Sequence, residues 1–399
     1  MGTFAALRHH RNYQLFWFGQ LISVTGTWLQ STGQAWLVLK LTSSPLALGI
    51  VSGLQYLPVL ALGLIGGVAA DRFDKRRTLV VTQSAFAVLA AVLAALTATG
   101  LVRLWQVYAL ALLNGLVAVV DNPTRQAFVV DMVGPDDVPN AVALNSAVFN
   151  SARAVGPAVA GGLIAGVGLA MCFYLNAASY LAVIGGLLLM RPELLRVVRA
   201  RREAVGAAVR GGVVYVLRNR TVLLLLVLLG VIGTFGMENQ VLIPVLADNA
   251  LKVGAVGFGV LSSANGVGAL IGALGVATLG RVSGRLLLAG ALAYGLATMA
   301  LGLPLGYAGS AIALGLAGGA SLLFTAATNS LLQLMAPEQM RGRVMGVYTL
   351  LFSGTVPIGA PLIGDLAARV GVAGAFLAEG LVAVAAAAWG ALTGLSAVT

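Results

Sequence analysis

Apolar residues run along this chain in long blocks, punctuated by turn residues and charges. The blocks predict twelve helical spans, at roughly 13–40, 45–70, 78–99, 104–133, 140–167, 170–190, 221–247, 255–280, 284–304, 308–335, 343–369 and 372–394. A helix crosses a bilayer with roughly 20 apolar residues, and the spans are of that length or longer. The period-two alternation of a membrane β-barrel is absent. The longest polar interruption, 191–220, holds Arg191, Arg196, Arg199, Arg201, Arg202, Arg210, Arg218 and Arg220. It divides the chain into a six-span unit at 1–190, a linker at 191–220 and a six-span unit at 221–399. The fold class expected is an all-α membrane protein, twelve transmembrane helices in two pseudo-symmetric six-helix bundles.

Polar residues break the apolar blocks in register. On the first span Gln20, Ser23, Thr27, Gln30 and Gln34 are spaced 3, 4, 3, 4, which places them on one helical face. The fourth carries Asn114, Asp121 and Arg125, the fifth Ser146, Asn150, Arg153 and Pro157, the seventh Thr234 and Glu238, and the tenth Ser321, Thr325, Asn329 and Gln333. A polar group in a bilayer helix is costly unless it faces water or a partner. The stripes favour spans 1, 4, 7 and 10, the first of each triplet, and predict a shared aqueous cavity. Its expected lining is Gln30, Gln34, Asn114, Arg125, Asn150, Arg153 and Asn329. Asp121 and Arg125 are one turn apart and can pair, with Arg153 on the neighbouring span. Glu238 has no cation near it in sequence, which suits a protonatable or substrate-facing role. Asp365 and Glu379 read as interfacial.

Composition excludes a soluble domain. Of 399 residues 59% are hydrophobic and 9% charged, against about 25% charged in a soluble domain. The net charge of +11 would point to nucleic acid in a soluble protein. Here the cations cluster in short loops and report orientation instead, so no nucleic-acid partner is expected. With the N-terminus inside, eighteen Lys and Arg fall on the inner side and four (Lys40, Arg103, Lys252, Arg369) on the outer. Both termini are therefore expected in the cytoplasm, in a multi-pass protein of the cell inner membrane. One cysteine, Cys172, and two histidines, His9 and His10, leave no metal cluster, and no cofactor is expected. No cleavable signal is evident ahead of the first span. The absence of a Walker sequence argues against ATP drive. No Ser-His or His-Glu-x-x-His constellation argues for an enzyme.

The halves repeat. Gly156-Pro-Ala-Val-Ala-Gly161-Gly162 aligns with Gly359-Ala-Pro-Leu-Ile-Gly364-Asp365 at a shift of about 200 residues, an internal repeat typical of secondary transporters. Between spans 2 and 3 stands Gly67-Val-Ala-Ala-Asp71-Arg72-Phe-Asp74-Lys75-Arg76-Arg77. It resembles motif A of the major facilitator superfamily, with Asp74 in place of the usual second glycine. The resemblance implies a latch on the cytoplasmic side in which Asp71 meets the start of span 11, near Gly342, and Asp131 pairs with Arg76. The stretch Gly156, Pro157, Gly161, Gly162 resembles motif C, associated in that superfamily with antiporters. Arg11-Asn-Tyr-Gln-Leu-Phe-Trp-Phe-Gly-Gln20 and Asn122-Pro123-Thr-Arg125-Gln resemble the drug and siderophore exporters of the enterobactin type. The resemblance covers about residues 11–395. It implies rocking of the halves about a central cavity and proton antiport that exports a small amphipathic organic molecule. The partners are the small-molecule substrate, protons and the lipid bilayer, for a monomer. Glu238 and Asp121 are the candidate proton carriers, Glu238 first. The rival readings are uptake or facilitated transport of a nutrient or lysolipid, and a receptor or interaction protein on a non-transporting transporter fold.

Overall fold

The computed structural model describes residues 4–196, 205–279 and 282–398. Among the described residues there are helices and turns and no strand. The first six long helices are α1 (Arg11–Thr42), α2 (Pro45–Arg72), α3 (Lys75–Ala98), α4 (Leu104–Val133), α5 (Val138–Gly166) and α6 (Leu169–Leu188). A linker helix, Val205–Arg218, follows, where the sequence shows only a polar interruption. Next come α7 in two pieces (Arg220–Gly236 and Asn239–Val245), α8 (Gly254–Leu279), α9 (Gly284–Ala300) and α10 (Gly306–Met335). Glu338–Leu392 runs on as one helix except at Gly371, whose φ of 78° turns the chain. We number its parts α11 (338–370) and α12 (372–392).

Among the described residues eight of these segments are long and apolar enough to cross a membrane, Glu338–Leu392 among them with 55 residues. The rest are α1 and α5, whose polar stripes dilute an otherwise sufficient length, and α9, an apolar helix of 17 residues.

Helix starts follow ordinary capping chemistry. Ser44 accepts the Ala47 N–H at 3.3 Å ahead of Pro45 at the first helical position, and Asp74 accepts the Arg77 N–H at 2.8 Å.

The basic loops gather at one end of the molecule, with residues 72–77, 191–196, 285 and 341–343. We call this the basic end and the other, with residues 42–45, 98–104, 246–254, 300–306 and 370–372, the far end. Within the first six helices α1 and α3 pack on α6, and α2 on α4. Within the last six α8 and α9 pack on α10, and α9 and α7 on the α11–α12 segment. The two groups meet along two seams, α2 with α11 and α5 with α8.

Both seams close at the far end. A Cβ on Gly49 would run into the Ala360 carbonyl, and one on Gly364 would lie 2.6 Å from the Pro45 carbonyl oxygen. On the other seam a Cβ on Gly161 would lie 2.6 Å from the Ala255 carbonyl oxygen, and one on Gly266 would meet the Arg153 carbonyl. Trp36 stacks on Phe258 at 5.6 Å, Lys40 pairs with Asp248 at 2.9 Å and lies over the Trp36 ring, and Ala158 N–H donates to Ser263 Oγ at 2.9 Å. Toward the basic end the α2–α11 seam parts: among the described residues a Cβ on Gly63, Gly67, Gly342 or Gly346 would meet nothing within 4 Å. The buried apolar clusters divide the same way. One, around Leu39, Val51, Val241 and Phe376, is shared by both halves at the far end. Toward the basic end each half has its own, around Phe16, Leu79 and Phe128 in one, and Leu225, Leu287 and Phe324 in the other. Among the described residues both seams are closed at the far end, and the α2–α11 seam is open at the basic end.

Candidate functional site

Two adjoining cavities lie between the halves. The one nearer the basic end has a volume of about 540 Å³ and is lined by Gln20, Gln30, Gln34, Asn114, Asp121 and Arg125 among others. The deeper one, about 480 Å³, includes Gln34, Asn150, Arg153, Pro157, Glu238 and Asn265. Trp28, Gln55, Tyr56, Phe149, Gln240 and Ser353 line both. Helices α1, α4, α7 and α10 supply walls, as the polar stripes predict. So do α2, α5, α8 and α11, through Gln55, Asn150, Asn265 and Ser353. Asn150 and Arg153 belong to the stripe already legible on α5, whereas α8 and α11 each bring two polar residues to the deeper cavity, too few for periodicity to single out. Of the predicted lining Asn329 falls outside: it accepts from Gln333 Nε2 at 2.6 Å, one turn toward the basic end from Thr325, the residue of α10 that does line the cavity.

In the first half the charges form a closed network. Asp121 is buried. Its Oδ1 accepts from Thr82 Oγ1 at 2.6 Å and Gln83 Nε2 at 2.8 Å, and its Oδ2 from Arg125 Nη2 at 2.5 Å and Nε at 3.1 Å. Arg125 also donates to Gln20 Oε1. Four donors on one carboxylate make it an anchor joining α3, α4 and, through Arg125, α1. Thr82 and Gln83 are not legible as its partners in sequence, since α3 is otherwise an apolar span.

In the second half two buried acids, Glu238 and Glu379, have no ion-pair cation among the described residues, whereas Asp365 at the far end pairs with Arg369 at 2.7 Å. Glu238 sits where α7 is interrupted, between Gly236 and Asn239. It is 4% exposed, lines the deeper cavity, and its Oε1 has no hydrogen-bond partner. Its backbone N–H donates to Glu379 Oε1 at 3.1 Å. Glu379 corrects the sequence reading: it is not interfacial but fully buried, with Oε2 unpartnered. It lies seven residues past the start of α12, roughly 10 Å in at 1.5 Å per residue. A lone carboxylate at that depth in an apolar span is the signal that marks it. The Tyr294 hydroxyl is buried beside Asn239 and Thr298.

At the basic end, Asp131 pairs with Lys75 Nζ at 2.6 Å rather than with Arg76. Arg76 instead donates Nε to the Leu187 carbonyl at 2.6 Å and Nη2 to that of Leu188 at 3.0 Å, capping the end of α6. Arg72 is exposed, and the Asp71 side chain lies outside the described residues. In the motif C-like stretch, Gly156 makes room for Trp28, and Pro157 and Gly161 face Gly259 of α8 across the seam. Gly162 faces open space.

A family model described as transmembrane secretion effector matches residues 1–398. The staphyloferrin A transporter of Staphylococcus aureus is 29% identical over 190 residues, 47% of this chain and 47% of that protein, so the chain matches under half the length of that relative. The multidrug efflux pump Tap of Mycolicibacterium fortuitum is 29% identical over 379 residues, 92% of each. Among solved structures, the nucleoside transporter NupG superposes with a TM-score of 0.76 at 12% identity, over 96% of this chain and 99% of that one. A bacterial homologue of the human lysosomal transporter Spinster, in an inward-facing and occupied conformation, gives 0.74 at 14% identity over 97% of each. The structures share the fold. The family and the relatives are transporters rather than enzymes.

Proposed function

The chain belongs to the transmembrane secretion effector family of major facilitator transporters, and on that premise we propose that it exports a small amphipathic organic molecule by proton antiport. The basic end faces the cytoplasm in this reading, as the loop arginines require. The structure then stands open to the cytoplasm, the state that loads an exporter. Export further needs the far end to open as the basic end closes, by rocking of α1–α6 against α7–α12.

The observation that carries the reading is Glu238. It is a carboxylate buried at a helix interruption, on the cavity wall, with no ion-pair cation and one unpartnered oxygen among the described residues. A group so placed accepts a proton without breaking an existing bond, whereas Asp121 must give up a donor to do so. We therefore assign the proton to Glu238 and anchoring to Asp121 and Arg125. The energy supply suffices in kind: one charge crossing 100 mV supplies roughly 2.3 kcal/mol.

The test is transport in proteoliposomes under an imposed pH gradient, against a panel of drugs and siderophores. Wild type concentrates a substrate on the side the far end faces when that side is acidic, and Glu238→Gln does not, while still binding it. Gradient-driven pumping by Glu238→Gln moves the carrier elsewhere. Substrate flux indifferent to the pH gradient rejects proton drive. Orientation is tested separately, with an impermeant thiol reagent on whole cells of a Cys172-free protein: a cysteine at Leu101 labels from outside and one at Glu193 does not.

A further inference from the structure

Two arginines lie within the spans, and the structure treats them differently. Arg125 pairs with the Asp121 carboxylate and donates to Gln20. Arg153, on α5, has no carboxylate within ion-pair distance among the described residues. Its guanidinium makes one hydrogen bond, Nη2 to Asn265 Oδ1 at 3.0 Å. That amide is a neutral dipole, buried and itself held by the Leu314 carbonyl, which accepts from Asn265 Nδ2 at 3.2 Å. An arginine does not shed its proton in a protein. Arg153 is half-buried on the wall of the deeper cavity, so its charge is partly withdrawn from water with no carboxylate beside it, which is unfavourable. In a transmembrane segment it marks a pathway for something that supplies one.

We propose that Arg153 is a subsite for an anionic group, a carboxylate, on the transported molecule; this rests on the central cavity being the transport site. The remaining N–H groups of the guanidinium form a planar fork suited to the two oxygens of a carboxylate. Around it the wall is amphipathic. Trp28 and Phe149 stand edge to face at 5.7 Å and line the same cavity, a surface for an apolar or aromatic body. The substrate class is an amphipathic organic acid that fits about 480 Å³.

The position of Arg153 adds a consequence. Its partner Asn265 belongs to α8, in the other half, and the two meet on the seam that closes the far end. Beside them the Arg153 carbonyl lies against Gly266. A carboxylate that takes the guanidinium competes with Asn265 for it. Loading from the basic end then removes one tie that keeps the far end shut.

The test is binding of naphthylacetate and naphthylacetamide, matched in size and differing in charge, to the purified full chain in nanodiscs by isothermal titration. Wild type binds the acid about ten-fold more tightly than the amide. Arg153→Gln loses that preference and Arg153→Lys keeps part of it. Asn265→Ala, which frees the guanidinium, tightens the acid and leaves the amide unchanged. Equal affinity of wild type for the two, binding of neither, or a preference kept in Arg153→Gln overturns the proposal. Where Arg153→Gln does not fold, unchanged acid affinity in Asn265→Ala overturns it equally. Binding of the amide without preference for the acid rejects the subsite while leaving the cavity as the transport site.

Discussion

Glu379 on α12 holds the interruption of α7 by accepting the Glu238 N–H at 3.1 Å. The backbone leaves helical geometry at Met237 and Glu238, so that N–H lacks its intrahelical acceptor, and with Glu238 buried the α12 carboxylate takes that place. A buried donor left unsatisfied costs about 1–3 kcal/mol. Glu379→Leu is therefore expected to lower stability by about that much. Glu379→Gln, which keeps an acceptor oxygen, should lower it by less. Thermal unfolding of the purified protein separates the two, and equal losses mean the bond does not support the interruption.

The Asp121 network predicts a different pattern. Asp121→Ala strands Thr82, Gln83 and the charge on Arg125 together. Breaking a buried pair from one side costs about 3–5 kcal/mol, so this variant should fold poorly. Adding Arg125→Gln should restore much of the loss, because the stranded charge goes with it. A double variant no more stable than Asp121→Ala would show that Arg125 is already satisfied by Gln20 and the open cavity.

Lys75 and Asp131, both mostly buried, tie the start of α3 to the end of α4 at 2.6 Å. Lys75→Asp or Asp131→Lys alone should destabilise, and the charge-swapped double should recover, as measured by a double-mutant cycle. Arg76 swapped with Asp131 should recover nothing, since Arg76 serves the carbonyls at the end of α6.

That last contrast shows where the sequence becomes illegible. Three consecutive cations fix which end of α3 is basic, but Lys75 and Arg76 point about 100° apart around the helix, and a run of like residues carries no azimuth. Where the pattern carries azimuth, it is legible. The 3, 4, 3, 4 spacing from Gln20 to Gln34 identifies the wet face of α1, and Glu238 reads correctly as an interior acid with no local cation. Asn329 continues its stripe in sequence but leaves the cavity, because the stripe from Ser321 to Gln333 runs on past Thr325 toward the basic end, beyond the cavity's depth. Glu379 lies beyond sequence in another way: its partner is a backbone N–H 141 residues away, freed by a helix interruption that no residue type announces.

At the basic end, the short helix Ala5–His9 leads into α1, and His10 Nε2 lies 2.8 Å from Asp137 Oδ2 in the turn before α5. That hydrogen bond holds the Asp137 carboxyl below its ordinary value. A lowered folded-state pKa contributes stability that is present above the ordinary carboxylate value, near about 4, and is lost as pH falls through the lowered one. A spin label at position 8 should stay immobilised through mild acid and become mobile only below that range. Asp137→Asn should remove this acid transition. Mobility that changes near pH 6 in both proteins would assign the transition to another group.

The closed far end yields the last prediction. Gly49 and Gly364 on one seam, and Gly161 and Gly266 on the other, are places where a side chain would occupy the space of a facing backbone. Closure presses each against the opposite half, whereas opening relieves it. A bulkier residue there should disfavour the closed far end without touching the packing within either half. Overpacking costs typically 1–3 kcal/mol, while inverting a 1:99 population takes about 5.5 kcal/mol. Gly49→Ala should thus shift the equilibrium partially, and Gly49→Ala with Gly161→Ala further. Gly63→Ala is the control, since its added Cβ meets nothing within 4 Å. Spin labels at Leu101 and Leu303, exposed far-end positions in opposite halves, report the change in a Cys172-free background. The expected result is a growing population of long distances from control to single to double variant. The same distances in all three would mean that the glycines set how tightly the halves pack within the closed state rather than which state is populated.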